Sequence, residues 1–167
     1  GVEAHKRGDY VVMLRNWLPL AEQGHARAQY QLGVVYEYGR GVPQNDVEAI
    51  KWYTKAADQG IADARYKLGI MYDNGWGVAK NVAEAVKWYI KAAAQGHAYA
   101  QFDLGLMFAS GSGVARDYVR AYMWLNIAVA QGNDHMIEHR NEIARNMTPT
   151  QIEKARRMAL DWIEARQ

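Results

Sequence analysis

The chain of 167 residues contains no cysteine. That excludes a disulfide framework, a thiolate zinc site and a cysteine nucleophile together. Excess charge of one sign is also missing. Lys and Arg number 20 against 18 Asp and Glu, with seven of each sign in residues 1–60 and six of each in residues 133–167. A protein that grips a phosphate backbone needs a dense basic face, so nucleic acid is not expected as a partner. The pI near 8.8 reflects a small surplus in residues 61–132. No apolar run approaches the roughly 18 residues that cross a bilayer. The first residue is Gly1 rather than Met, as expected of a processed or trimmed segment. Half of the residues are apolar, which suits one domain or one short repeat array and rules out two large domains.

What the chain does have is an internal repeat of 36 residues. Ala28, Leu32, Gly33, Tyr36, Gly39, Gly41, Val42, Ala49, Trp52, Ala56, Gln59 and Gly60 return as Ala64, Leu68, Gly69, Tyr72, Gly75, Gly77, Val78, Ala85, Trp88, Ala92, Gln95 and Gly96. A third copy follows without a gap, from Ala100, Leu104, Gly105 and Phe108 to Trp124, Ala128, Gln131 and Gly132. Within a copy, Ala28, Leu32, Val35 and Tyr36 mark one face of a first helix, and Ala49, Trp52, Tyr53, Ala56 and Ala57 one face of a second. Each copy is therefore expected to be a helix hairpin, with small residues where the backbones approach and rings filling the space between. Gly39 and Gly41 end the first helix and Gly60 ends the second. A lone hairpin leaves a face unburied, so the copies should stack.

One repeat domain, residues 1–167, is expected. It comprises a partial N-terminal repeat (1–24), full repeats at 25–60, 61–96 and 97–132, and a C-terminal cap (133–167). In the partial repeat Trp17 aligns with Tyr53, residues 1–7 read as the remnant of a first helix, and Pro19 should kink the second. In the cap, Thr148, Pro149, Thr150 and Gln151 spell a capping box that opens a final helix carrying Ile152, Met158, Leu160 and Trp162.

The run from Leu32, Gly33, Tyr36, Gly39, Gly41 and Val42 to Ala49, Trp52, Tyr53, Lys55, Ala56, Ala57, Gln59 and Gly60 resembles the Sel1-like repeat, a relative of the tetratricopeptide repeat. The resemblance implies an all-α fold, an α/α superhelical solenoid of stacked hairpins with a C-terminal capping helix. It also implies an adaptor that brings proteins together, commonly bacterial and often exported, hence periplasmic or secreted. It implies neither a reaction nor a cofactor. One exported branch, rich in disulfides, is associated with binding or cleaving penicillins, and the absence of cysteine sets this chain apart from it. The third copy drifts, with Phe108 for Tyr, Leu125 for Tyr53, and Met123 and Ile127 where earlier copies have Lys.

Positions identical in every copy build the repeat, so recognition is expected at positions that vary yet share a face. On the first helices these are Arg27, Tyr30, Val34 and Tyr38, then Asp63, Tyr66, Ile70 and Asn74, then Tyr99, Phe102, Leu106 and Ser110. The reading is that this face lines the concave groove and that its aromatics anchor a partner protein or peptide. Packing against the next hairpin is the plainer alternative. Arg27, Glu37, Asp63, Arg65 and Asp73 would supply polar contacts at the rim. Trp76 stands in a loop where other copies have Arg40 and Ser112, a second contact candidate. Trp52, Trp88 and Trp124 recur in register and read as structural. Lys51, Lys55, Lys87 and Lys91 read as a solvated face.

Few enzymatic motifs stand beside the repeat. His135, Glu138 and His139 match the H-x-x-E-H spacing of a zinc peptidase class. In register, however, they fall on variable surface positions, and only Glu142 or Glu153 offers a third ligand. His25 and His97 read as helix-entry residues. The paired loop glycines lack the third glycine and the Gly-Lys-Ser/Thr of phosphate cradles, and Gly111-Ser112-Gly113 lacks the spacing of a serine elbow. The expected function is thus a non-enzymatic scaffold. The alternatives are a weak zinc-dependent or cell-wall/β-lactam hydrolase, and a structural protein that self-associates.

Overall fold

The computed structural model describes residues 2–132 and 134–166, with side chains from Val12 onward. Among these residues no strand forms. The helices are α1 (Val2–Glu22), α2 (Ala26–Tyr38), α3 (Asp46–Asp58), α4 (Ala62–Asn74), α5 (Val82–Ala94), α6 (Ala98–Ser110), α7 (Tyr118–Ala130), α8 (Ile137–Ala144) and α9 (Pro149–Glu164), with a 3-10 turn at Asp134–Met136 before α8. They gather into two units, Gly1–Asn81 with α1 to α4 and Val82–Gln167 with α5 to α9.

The recurring residues set the helix limits. Gly39, Gly75 and Gly111 adopt left-handed backbone angles, and each returns its N–H to the carbonyl four residues earlier. Second helices start on a side-chain cap: Asn45 accepts from the Glu48 N–H at 3.1 Å, and Asp117, at the same register position, from Arg120 at 3.0 Å. Gly60 lies one residue beyond its expected place as cap, since Gln59 caps α3 and Gly60 follows at φ 90°.

In the first unit the core comprises Leu32, Val35, Ala49, Tyr53, Ala56, Leu68 and Met71. Gly33 is required because the Tyr53 ring fills the space a Cβ would take. Gly77 combines a φ of +67° with a backbone contact: a Cβ there would lie 2.5 Å from the Asp46 carbonyl at the start of α3. In the second unit Leu104, Phe108, Ala121, Leu125, Ile127 and Met136 are buried. Polar side chains complete the stacking. Gln29 donates to the Ala21 carbonyl (3.1 Å), Arg65 to Ala57 (3.0 Å) and Gln101 to Ala93 (3.1 Å), one clip per repeat in strict register. Each satisfies a helix-end carbonyl that would otherwise be left unpaired.

The N-terminal end departs from the sequence reading, whereas the capping box expected at the C-terminal end forms. Residues 2–7 are not a separate first helix, because α1 runs unbroken from Val2 through Pro19 to Glu22. At the register positions of Gly39 and Gly41 the chain has Glu3 and His5, so the signal that ends the later first helices is absent. At the other end the capping box on Thr148 and Gln151 forms, with Pro149 in the first turn. Helices α8 and α9 pack on α7. That accounts for the drift of the third copy: Met123 and Ile127 replace lysines and are buried, Ile127 to 1% exposure. The Trp162 ring meets Trp124 edge-on at 5.8 Å, while Arg166 lies 3.7 Å over Trp162 and donates to the Ala94 carbonyl at 2.7 Å. Leu160 of the same helix faces solvent.

Candidate functional site

In the first unit the variable first-helix positions surround a polar cluster. Tyr53 reaches out of the core and donates its hydroxyl to the Glu37 carboxylate of α2. Lys67 of α4 donates to the other Glu37 oxygen at 2.8 Å and to the Tyr38 hydroxyl at 3.0 Å. Burial, then the bond to Glu37, pushes the Tyr53 hydroxyl far above its ordinary range. For Lys67 burial pulls downward, but the bonds to Glu37 and Tyr38 outweigh it and the ammonium is held above its usual value. Tyr30 is half-buried with its ring 5.7 Å from Tyr53, and burial followed by the charge of Asp63 raises its hydroxyl. Tyr38 is 53% exposed, with the Arg40 guanidinium 4.9 Å from its ring centre. An open depression of about 620 Å³ lies beside it, lined by Gly39, Gly41, Val42, Pro43 and Gln44. Arg27 and Asp63 are exposed, Tyr66 is half-buried, and Trp76 projects from its loop at 47% exposure.

In the second unit the same face is aromatic and imidazole. Tyr99, 53% exposed, stands between the rings of His97 (6.3 Å) and His135 (6.4 Å). Phe102 is half-buried and meets His139 edge-on at 5.2 Å. His135 sits in the 3-10 turn and His139 in α8, so the two do not share one continuous helix face. Each rests against a ring of α6. Among the described residues no group of three or more His, Asp or Glu is placed to hold a metal ion.

Several expected rim residues have other work. Glu37 is bound to Tyr53 and Lys67, and Arg65 is the repeat clip to Ala57. His97 caps α6, its Nδ1 accepting from the Ala100 N–H at 3.2 Å, whereas His25 makes no such bond. Lys51, Lys55, Lys87 and Lys91 are exposed as expected, and Lys55 and Lys91 also lie over the Trp52 and Trp88 rings at 4.3 and 4.0 Å. The polar cluster has no signature in the repeat pattern. Its one available signal was Lys67, a cation among the first-helix positions where the other copies have Gln31 and Asp103.

The profile of the Sel1 repeat matches residues 26–61, 62–97 and 98–133. The chain belongs to the Sel1 repeat family. Its fold is accordingly the all-α, α/α repeat solenoid expected from the sequence. Repeats of this family generally mediate protein–protein interaction, and the scaffold is generally non-catalytic. A Sel1 repeat protein from Oxalobacter formigenes is 31% identical, with a TM-score of 0.79 over 98% of this chain and 68% of that one. A protective antigen of uropathogenic Escherichia coli strains, described as displaying an SLR fold, is 38% identical with a TM-score of 0.77 over 87% of this chain and 31% of that one. Cysteine rich protein B of Helicobacter pylori shares the fold alone, at 20% identity and a TM-score of 0.62 over 79% of this chain and 95% of that one. The DAP3-binding cell death enhancer 1 of Mus musculus is 38% identical over 50 residues, 30% of this chain. The chain spans about a tenth of that relative's length. Among the described residues no helix of this Sel1 repeat protein is long and apolar enough to cross a membrane.

Proposed function

We propose that the protein is a non-enzymatic scaffold whose first-helix faces hold a peptide, helix or domain of another protein. One observation carries this reading. Ala28, Leu32, Ala49 and Ala56 and their counterparts in the other two copies are buried, whereas Tyr38, Trp76 and Tyr99 stand at positions that vary and present their rings to solvent. Exposed rings at variable positions contribute little to folding and suit anchors at an interface. Half-buried Tyr30, Tyr66 and Phe102 would form the inner part of the contact, with Arg27 and Asp63 at its polar rim. The name of the mouse relative, a DAP3-binding protein, supports a protein as ligand. A protective antigen of uropathogenic Escherichia coli strains among the solved relatives supports a bacterial setting.

The test is affinity capture from extract of the source cell with wild type, with Tyr38→Ala/Trp76→Ala/Tyr99→Ala, and with Tyr30→Ala/Tyr66→Ala/Phe102→Ala. Helicity and melting of each variant are checked first. The expected result is one specific protein retained by wild type and lost by the first variant at unchanged melting. Equal capture by all three would move recognition away from these faces.

A further inference from the structure

We propose that the loop edge of the first unit is a docking site for an acidic peptide segment of a partner protein, whose carboxylates are received by Arg40 and Lys80 beside the rings of Tyr38 and Trp76. The inference deepens the scaffold reading and rests on it in taking a protein as ligand. Two successive loops of the unit meet along this edge. The loop between α2 and α3 holds the depression of about 620 Å³ lined by Tyr38, Gly39, Gly41, Val42, Pro43 and Gln44. The loop that follows α4 rests on the start of α3 through Gly77, where a Cβ would lie 2.5 Å from the Asp46 carbonyl and 2.8 Å from the Val47 nitrogen. Val47 and Trp76 flank that contact and are 51% and 47% exposed.

The turn itself does not call for these rings or for Arg40. Behind left-handed Gly39 the Asn45 N–H returns to the Tyr36 carbonyl at 2.9 Å, and behind left-handed Gly111 the Asp117 N–H returns to the Phe108 carbonyl at 2.8 Å. The backbone is the same, yet the loop of the second unit has Ser110, Ser112 and Ala115 where the first has Tyr38, Arg40 and Pro43. Exposed rings that the fold does not need are open to a ligand. The charges left over at this edge are cations. Glu37 is committed to Tyr53 and Lys67, Glu48 to Lys51 at 2.5 Å, and half-buried Asp46 accepts from Gln44 at 3.5 Å. Arg40 and Lys80 are exposed, and Lys80 has no carboxylate partner among the described residues. Arg40, with its guanidinium 4.9 Å from the Tyr38 ring centre, carries five N–H donors and so can take a further acceptor. Lys67 donates to the Tyr38 oxygen at 3.0 Å, which turns the Tyr38 proton away from Lys67 as one more donor. Carboxylates fit such a donor set, and the rings beside it suit the apolar parts of the same segment. Two exposed cations are far fewer than a phosphate backbone requires, so the charge favours an acidic peptide over nucleic acid.

Selection of a random dodecapeptide library on the immobilised full chain supplies the probe. The expected result is enrichment of peptides rich in Asp and Glu. Their affinity, read by fluorescence anisotropy, should fall with added salt and drop about tenfold or more on Arg40→Glu/Lys80→Glu. Trp76→Ala should weaken them too, whereas Tyr30→Ala/Tyr66→Ala/Phe102→Ala should not. Unchanged circular dichroism and melting are the folding control. Should the double variant melt lower, Lys80→Glu alone, at an exposed side chain, carries the test. No enrichment, enrichment of neutral or basic peptides, or acidic peptides indifferent to the charge reversal overturns the proposal. So does oligo-dT that binds as tightly and is lost on the same reversal, since the site would then take nucleic acid. Capture from cell extract separates this inference from the scaffold reading. A partner lost by Tyr38→Ala/Trp76→Ala/Tyr99→Ala but kept by Arg40→Glu/Lys80→Glu sinks the acidic ligand and keeps the scaffold. Acidic peptides that obey the charge reversal while all variants capture the same partner equally sink the first-helix reading and keep the edge.

Discussion

Tyr53 joins the core of the first unit to its outer face, its ring fixed against Gly33 and its hydroxyl committed to Glu37. Tyr53→Phe keeps the ring and leaves Glu37 with Lys67 as partner. It should cost about 2 kcal/mol, the value of a hydrogen bond to a charged group, read from urea unfolding. The same cluster sets a pH dependence. The folded-state pKa values of Tyr53, Tyr30 and Lys67 are all raised, from unfolded values of 10.0, 10.0 and 10.5. The native state therefore keeps protons that the unfolded chain releases, and its stability is fully present below about pH 9 and falls as pH rises through about 10 and above. Urea midpoints measured between about pH 8 and 11 should decline in wild type and decline less in Tyr53→Phe. Tyr53 was legible in the sequence as a core residue, from its place on the apolar stripe. Its bond to Glu37 was not, because it depends on how the two helices of the hairpin are set side by side, and the link from there to Lys67 depends further on how the next hairpin stacks.

At the scale of elements, the loop glycines differ in what they do. Gly96 has a left-handed backbone with open space around its Cβ direction, whereas Gly77 has that backbone and the Asp46 carbonyl beside it. Gly96→Ala should cost about 1 kcal/mol for backbone strain alone. Gly77→Ala should cost about 3 kcal/mol or more, since a main-chain carbonyl cannot step aside as a side chain does. Thermal melts of the two variants check the order. Removal of α9 should expose Met123, Ile127 and Trp124, and the shortened chain should aggregate or bind a hydrophobic dye where the full chain does not. The hairpins and the capping box were legible because a 36-residue period and a Thr-Pro-x-Gln start are local signals. The unbroken α1 was harder to see: it follows from glycines missing at positions 3 and 5, and an alignment of matching residues hides a missing stop.

Across the whole molecule, the chain divides into residues that repeat and hold the fold and residues that vary, to which the proposed function assigns the partner contact. Trp52 and Tyr38 lie on opposite sides of that division. Trp52→Ala should lower stability by about 3 kcal/mol or more and lose binding only by unfolding. Tyr38→Ala should leave melting nearly unchanged, within about 0.5 kcal/mol, as expected for an exposed side chain. The exposure of Tyr38, Trp76 and Tyr99 was readable from their variability. The half-burial of Tyr30 and Phe102 was not, because it comes from Tyr53 and from His139, residues distant in sequence. The most direct measurement is hydrogen–deuterium exchange of the chain with and without the partner it captures. The account predicts added protection along the first helices α2, α4 and α6 and in the loop bearing Trp76, with α3 and α5 unchanged. Protection confined to α3 and α5, where Lys55 and Lys91 cover their tryptophans, would contradict it.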